Sequence, residues 1–206
     1  MQTSTLIYVH DPMCSWCWGF RPTLDAVTES VPNEIVVTRL VGGLAPDSDD
    51  PMPVSMQDYL QQTWRAIQHR IPGTEFNFDF WTHCEPRRST YPACRAVIAA
   101  RLIDRDSEAR MIDGIQRAYY LKAQNPSDID TLVSVAESIN LDAERFRELL
   151  QSDKVERLLQ DELTLVRRMG VGGFPSLVLQ VGNSVSGIAM RYGDPAAITA
   201  DIIRRI

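Results

Sequence analysis

Apolar residues along this chain switch between strand-like runs and helix-like stripes, and the switches mark its elements. Leu6-Ile7-Tyr8-Val9 is a short β-branched and aromatic run closed by the turn formers His10-Asp11-Pro12, which predicts a buried strand. From Trp18 to Glu29, Leu24 and Val27 recur at helical spacing until Val31-Pro32-Asn33 stops the pattern. Ile35-Val36-Val37-Thr38-Arg39-Leu40-Val41 then predicts a second strand, apolar enough to be covered on both faces. Residues 5–41 thus read as one βαβ unit.

After Gly42-Gly43 the pattern changes. Ala45-Pro46-Asp47-Ser48-Asp49-Asp50-Pro51-Met52-Pro53 is a polar, proline-punctuated connector, and the residues beyond it are mostly helical in pattern. Helices are predicted over Ala93–Asp104 and Ser107–Ala123, and Ser127-Asp128-Ile129-Asp130 has the form of a capping box. Behind it Ile129, Leu132, Val133, Ala136 and Ile139 make one apolar stripe, and Val155, Leu158, Leu159, Leu163, Val166 and Met169 make another. No comparable strand signal occurs between residues 45 and 168, and no internal repeat. Ser176-Leu177-Val178-Leu179-Gln180-Val181, a Gly182-Asn183 turn and Val185–Met190 then predict a hairpin, and Pro195–Ile206 a closing helix. The order is β-α-β, helices, β-β-α. Because the two sheet halves need each other to bury a core, residues 1–43 and 167–206 are expected to form one discontinuous α/β domain, with 44–166 inserted as an all-helical domain.

Composition narrows the possible functions. The 206 residues are 44% hydrophobic and 23% charged, enough for a sizeable core without a disulfide scaffold. With 21 Lys and Arg against 27 Asp and Glu the formal charge is −6, so a nucleic-acid partner is not expected. The doublets Arg87-Arg88, Arg167-Arg168 and Arg204-Arg205 are scattered and suit solvated faces. Apolar runs such as Ala96-Val97-Ile98-Ala99-Ala100 fall far short of the roughly 20 residues that cross a bilayer. Met1-Gln2-Thr3-Ser4-Thr5 carries no Lys or Arg and leads into an apolar run of only four residues, so the chain reads as cytoplasmic.

In a reducing compartment, a closely spaced cysteine pair points to redox chemistry or metal. Cys14-Ser15-Trp16-Cys17 stands at the junction of the first strand and first helix. Cysteines at i and i+3 of a first helical turn can reach disulfide distance, and the unpaired N–H groups of the helix start favour thiolate over thiol at the first of them. Cys14 is therefore the candidate nucleophile and Cys17 the resolving thiol. The competing reading is half a zinc site completed by His10, His83, Cys84 or Cys94. It lacks a second close pair, since Cys84 and Cys94 are ten apart, and no metal is expected. Cys94 is retained as a candidate secondary redox thiol against the plainer reading of a small core residue. Of the aromatic residues, Trp16 is singled out because it stands between the two cysteines. His10 reads as a satisfied polar residue.

Two prolines complete a pattern: Pro22, five residues after Cys17 within the helical stretch, and Pro175 in Val171-Gly172-Gly173-Phe174-Pro175-Ser176. With them the sequence resembles the thioredoxin superfamily, and within it the DsbA-like thiol–disulfide oxidoreductases, along its whole length. The resemblance implies a thioredoxin-like α/β fold with a helical insertion, and a cis Pro175 packed beside the sulfurs as a third catalytic-site residue. It also implies a substrate surface of Ser15, Trp16, Gly173 and Phe174, where the Phe174 backbone meets an extended substrate by strand addition. Phe174 is bulkier than the family's usual Thr or Val, which predicts a narrower, more apolar groove. Ser15-Trp16 replaces the Pro-His of DsbA, which predicts a couple between about −120 mV and about −270 mV. No resident cofactor is expected, with glutathione as a possible co-substrate. Expected partners are a polypeptide or small disulfide and a recycling reductant. Two alternatives share the fold: kappa-type glutathione transferases and isomerases, which carry Ser where Cys14 stands, and a non-enzymatic client-binding adaptor.

Overall fold

The computed structural model describes residues 4–206. Its elements are β1 (Ser4–His10), α1 (Ser15–Ser30), β2 (Ile35–Val41), α2 (Val54–Arg70), α3 (Phe80–His83), α4 (Tyr91–Ile103), α5 (Ser107–Tyr120), α6 (Ile129–Ser138), α7 (Ala143–Leu150), α8 (Asp153–Arg168), β3 (Ser176–Val181), β4 (Ser184–Ile188) and α9 (Pro195–Arg205). This is the thioredoxin-like α/β fold with a large helical insertion. The strands form one sheet ordered β2-β1-β3-β4, with β1 parallel to β2 and antiparallel to β3.

β1 is central, and alternation along it divides the core. Leu6 and Tyr8 pack with Phe20, Leu24 and Val27 of α1 and with Ile198 and Ile202 of α9. Ile7 and Val9 face the other way, onto Val178 and Val166 of α8. Sequestering a ring such as Phe20, fully buried here, contributes about 1.5–3 kcal/mol relative to leaving it in water.

β2 departs from the sequence expectation. It is an edge strand and its interior residues are only partly covered, with Val36 48% exposed. Apolar composition cannot distinguish an edge strand beside one helix from a strand sandwiched between two. The junction of β2 with the helices is instead polar: Glu162 of α8 accepts the Val41 N–H at 2.8 Å and pairs with Arg101 of α4.

The inserted helices own a second core, in which α4 is buried along Ala93–Ala100 against α5, α6, α7 and α8. The capping-box expectation at α6 is corrected. Asp128 is the N-cap and makes no side-chain cap bond, while the Ser127 hydroxyl donates to the Ser89 carbonyl at 2.7 Å and so ties α6 to the loop before α4. A third, aromatic cluster centres on Trp64 of α2, with Phe76 stacked at 4.9 Å and Tyr119 and Tyr120 edge-on at 5.6 Å. Most insert aromatics are thus core. No helix is long and apolar enough to cross a membrane among the described residues.

Candidate active site

The site is built where β1 ends. The chain turns at Asp11, whose carbonyl accepts the Cys14 N–H at 3.0 Å, and Cys14 takes an extended conformation as the N-cap of α1. Its sulfur accepts the Cys17 N–H at 3.3 Å and so occupies the position of a capping oxygen. This cap sets the start of α1 at Ser15, in agreement with the first helical turn expected at Cys14–Cys17 and three residues before the stretch that apolar periodicity marks. Pro22 lies inside α1, which runs on to Ser30.

From the opposite side, 160 residues away in sequence, the Phe174 carbonyl accepts the Cys14 thiol at 3.5 Å. The Phe174–Pro175 peptide is cis and opens β3, with Pro175 buried. Cys17 is fully buried one turn inside α1, beside Tyr8 at the wall of a 40 Å³ cavity. Burial, and then contact with the Cys14 sulfur, push the Cys17 thiol well up. Cys14 lines a cleft of about 140 Å³ with Ser15 and Trp16 on one side and Tyr59, Leu60 and Trp64 of α2 on the other.

Gly173 is exposed and is not among the residues that line this cleft, its carbonyl accepting the Ser176 hydroxyl at 2.8 Å. The Phe174 ring is not among the cleft walls. It packs against the buried cluster of Ile7, Val9, Val166 and Val178, and it fills the space that a side chain on Gly42 would need, since a Cβ there would lie 2.1 Å from the ring. The bulk of this side chain is accommodated at Gly42 rather than in the cleft that Cys14 lines. Gly42 is the residue that makes this possible, and its pairing with a position 132 residues distant gives sequence reading no local signal.

Asp11 is legible in the sequence only as a turn former, yet it organises the site. It is fully buried; Oδ1 accepts the Met13 N–H at 2.7 Å, and Oδ2 accepts the Leu44 N–H at 2.7 Å and the Thr90 hydroxyl at 2.6 Å. One carboxylate thus joins the Cys14 loop to the end of β2 and the start of α4. Burial pushes its carboxyl up, against the pull of these donors. Cys94 lies behind it, fully buried with its sulfur 3.7 Å from Asp11 Oδ2, and burial and then that carboxylate push its thiol well up. Cys84 is elsewhere, donating to the Ala123 carbonyl at 3.1 Å within the aromatic cluster.

His10 is not the satisfied polar residue expected. It is fully buried and stacked on Tyr8 at 5.1 Å, and neither ring nitrogen has a hydrogen-bond partner among the described residues. Burial, and then Arg39 and Arg101, push its pKa down to about 3, so it is a neutral ring beneath the site. Among the described residues no cluster of three His, Cys, Asp or Glu is placed to hold a metal. A cavity of about 650 Å³ lies away from the sulfurs and is lined by the Arg95–Asp47 and Arg95–Glu156 ion pairs and the α8 start, with no cysteine or histidine.

Comparison with known proteins places the fold among described families. A thioredoxin family model matches residues 7–191. A Nitrosomonas europaea protein with the provisional name of protein disulfide isomerase superposes with a TM-score of 0.85 at 26% identity, covering 98% of this chain and 97% of that one. The cytosolic disulfide reductase DsbM of Pseudomonas aeruginosa superposes at 0.80 with 25% identity, covering 98% of both chains, and has also been solved with GSH. Among curated sequences, the ClpXP adapter protein SpxH of Bacillus subtilis is 24% identical over 168 residues, 81% of this chain and 55% of that protein. The chain thus spans about half the length of the curated relatives it matches.

Proposed function

The chain belongs to the thioredoxin family, in its DsbA-like branch, and from that premise we propose that it is a thiol–disulfide oxidoreductase in which Cys14 attacks, Cys17 resolves and Pro175 shapes the groove. The observation that carries the reading is the placement of the Cys14 sulfur: it caps α1, faces an open cleft, and has Cys17 one turn behind it.

In the forward direction the Cys14 thiolate attacks one sulfur of a disulfide R–S–S–R′. A Cys14–S–S–R bond forms and R′S⁻ leaves. Cys17 gives up its proton and attacks the Cys14 sulfur; the bond to R breaks, RS⁻ leaves, and a Cys14–Cys17 disulfide remains. The protein is oxidised by two electrons, the substrate is reduced to two thiols, and an external dithiol or thiol pair reverses the change. Fully buried Cys17 is inaccessible to a second substrate, which confines it to the intramolecular step. The Phe174 carbonyl, which accepts the Cys14 thiol in the free dithiol, is the backbone group positioned to meet an extended substrate once Cys14 is engaged. Reduction or isomerisation in the cytoplasm is the direction we favour, with glutathione as co-substrate, on the likeness to the cytosolic reductase DsbM.

The test is an equilibrium titration of Cys14–Cys17 against glutathione buffers, read by thiol-trapping mass spectrometry. A reversible two-electron couple between about −120 and about −270 mV is expected. Failure of any intramolecular disulfide to form would overturn the assignment. The likeness to SpxH favours a second reading, an adaptor that presents a client. Stoichiometric client binding that survives Cys14→Ser distinguishes it, because turnover does not survive that change.

A further inference from the structure

The charge along the cleft is one-sided. In a chain with an excess of six acidic groups, no carboxylate lines the cleft beside Cys14, and its charged wall residues are Arg87 and Arg88. Arg87 is partly neutralised by its ion pair with Asp128. Arg88 is exposed, and its guanidinium has only the Met56 thioether beside it, at 3.9 Å, with no carboxylate within ion-pair distance among the described residues. At the far end of α2, Arg70 lies over the Trp16 ring at 5.5 Å and over Tyr192 at 5.7 Å, likewise without a carboxylate partner among the described residues. Arg88 reaches α2 at Met56 in its first turn and Arg70 stands in its last, so the two cations flank the stretch of α2 that walls the cleft, Tyr59 to Trp64.

We propose that Arg88 and Arg70 select disulfides whose thiol half carries a carboxylate, so that the preferred substrate is a small acidic disulfide. This deepens the oxidoreductase reading above and rests on it. The physical reason is repulsion: a thiolate attacking an anionic disulfide brings like charges together, and cations on the approach offset that cost and raise the encounter rate. The cavity of about 140 Å³ is below the roughly 300 Å³ of whole-ligand pockets, so it seats the arm joined to Cys14 and leaves the other half outside, nearer the exposed guanidinium ions. Arg70 is already aligned for this by its seat on Trp16, the residue between the two cysteines. The same positive field lowers the cost of the departing thiolate at each of the two steps.

The experiment compares wild type, Arg88→Gln, Arg70→Gln and Arg88→Lys on three disulfides: oxidised glutathione, which is anionic, bis(2-hydroxyethyl) disulfide, which is neutral, and cystamine, which is cationic. Arg88→Gln is expected to lower kcat/KM for oxidised glutathione about tenfold, to leave the neutral disulfide within about twofold, and to raise cystamine turnover. Arg70→Gln should shift the ratios in the same direction by less, Arg88→Lys should restore most of the preference, and added salt should compress it in wild type. Unchanged anionic-to-neutral ratios in both glutamine variants would overturn the proposal while leaving the oxidoreductase reading intact, as would an equal loss on all three substrates. A wild-type protein that turns over none of the three overturns both.

Discussion

Cys14 and Cys94 each stand at the start of a helix, and each is buried by area, yet the two sites prepare sulfur for opposite fates. Cys14 is the N-cap of α1: its side chain receives a backbone N–H, and the far side of the sulfur opens on a cleft. Cys94 lies one turn into α4, its N–H already bonded to the Thr90 carbonyl, and its sulfur is closed in against the Asp11 carboxyl. In the proposed mechanism a helix start does not by itself make a thiol reactive. The sulfur must take the place of the cap, and a path to it must remain open. Asp11 serves both sites in opposite ways, fixing the loop that presents Cys14 while giving Cys94 a negative neighbour.

The contrast is broken most directly by exchanging the fates. Cys14→Ser is expected to lower disulfide turnover about a thousandfold or more, whereas Cys94→Ala should leave it within about twofold, measured with oxidised glutathione as substrate. Comparable losses would mean that Cys94 takes part in exchange. Cys17→Ser should retain the first step only and accumulate a Cys14 mixed disulfide visible by mass. Alkylation sharpens the contrast without mutation: in the native protein at neutral pH, iodoacetamide should label Cys14 about a hundredfold faster than Cys94, with site occupancy followed by peptide mapping.

A smaller effect tests the frame that holds the Cys14 side open. Gly42→Ala should cost about 1–3 kcal/mol in urea unfolding, because the new methyl meets the Phe174 ring. Combining it with Phe174→Val should recover part of that loss. Independent, additive losses would show that the ring is not what Gly42 accommodates.

The smallest effect, read only between pH 7 and 5.5, belongs to His10 at the Cys14 end of β1. Its pKa of about 3 lies below the unfolded value of about 6.5, so the unfolded chain binds the extra proton between those limits. The neutral ring carries no penalty above pH 6.5, and stability falls by about 1.4 kcal/mol per pH unit as the pH drops below it, down to about pH 3. Buried Asp11 and Glu162, whose carboxyls are pushed up, act in the opposite sense, so the comparison is between wild type and His10→Phe. The variant should lose less stability between pH 7 and 5.5; identical pH profiles would show that His10 takes up its proton at the same pH in the fold as in the unfolded chain.

Legibility in the sequence divides along the range of the interactions. The strands at 35–41 and 176–181 and the turn at Gly182-Asn183 come from local composition, and the cysteine pair from its spacing, so these match the structure closely. The edge position of β2 depends on what packs beside it, and its apolar run is misleading. Ser127 has the residue type of a cap but spends its hydroxyl on Ser89, a bond 38 residues long. Asp11 reads as an ordinary turn residue because its decisive partners, Leu44 and Thr90, come from other elements. The size of Phe174 argues for a side chain in the groove, and only the missing side chain of Gly42 lets it sit elsewhere.

The bond between the Cys14 thiol and the Phe174 carbonyl has a meaning for synthesis on the ribosome. At translation rates of about 5–20 residues per second, the dithiol is made roughly 10–30 s before the residue whose carbonyl accepts the Cys14 thiol. During that interval β1 also lacks β3, its neighbour on one side, since the strand order β2-β1-β3-β4 places residues 176–181 next to it. The nascent chain therefore carries Cys14 and Cys17 on an unfinished sheet, and the thiols of the surrounding cell meet the pair before its own fold does.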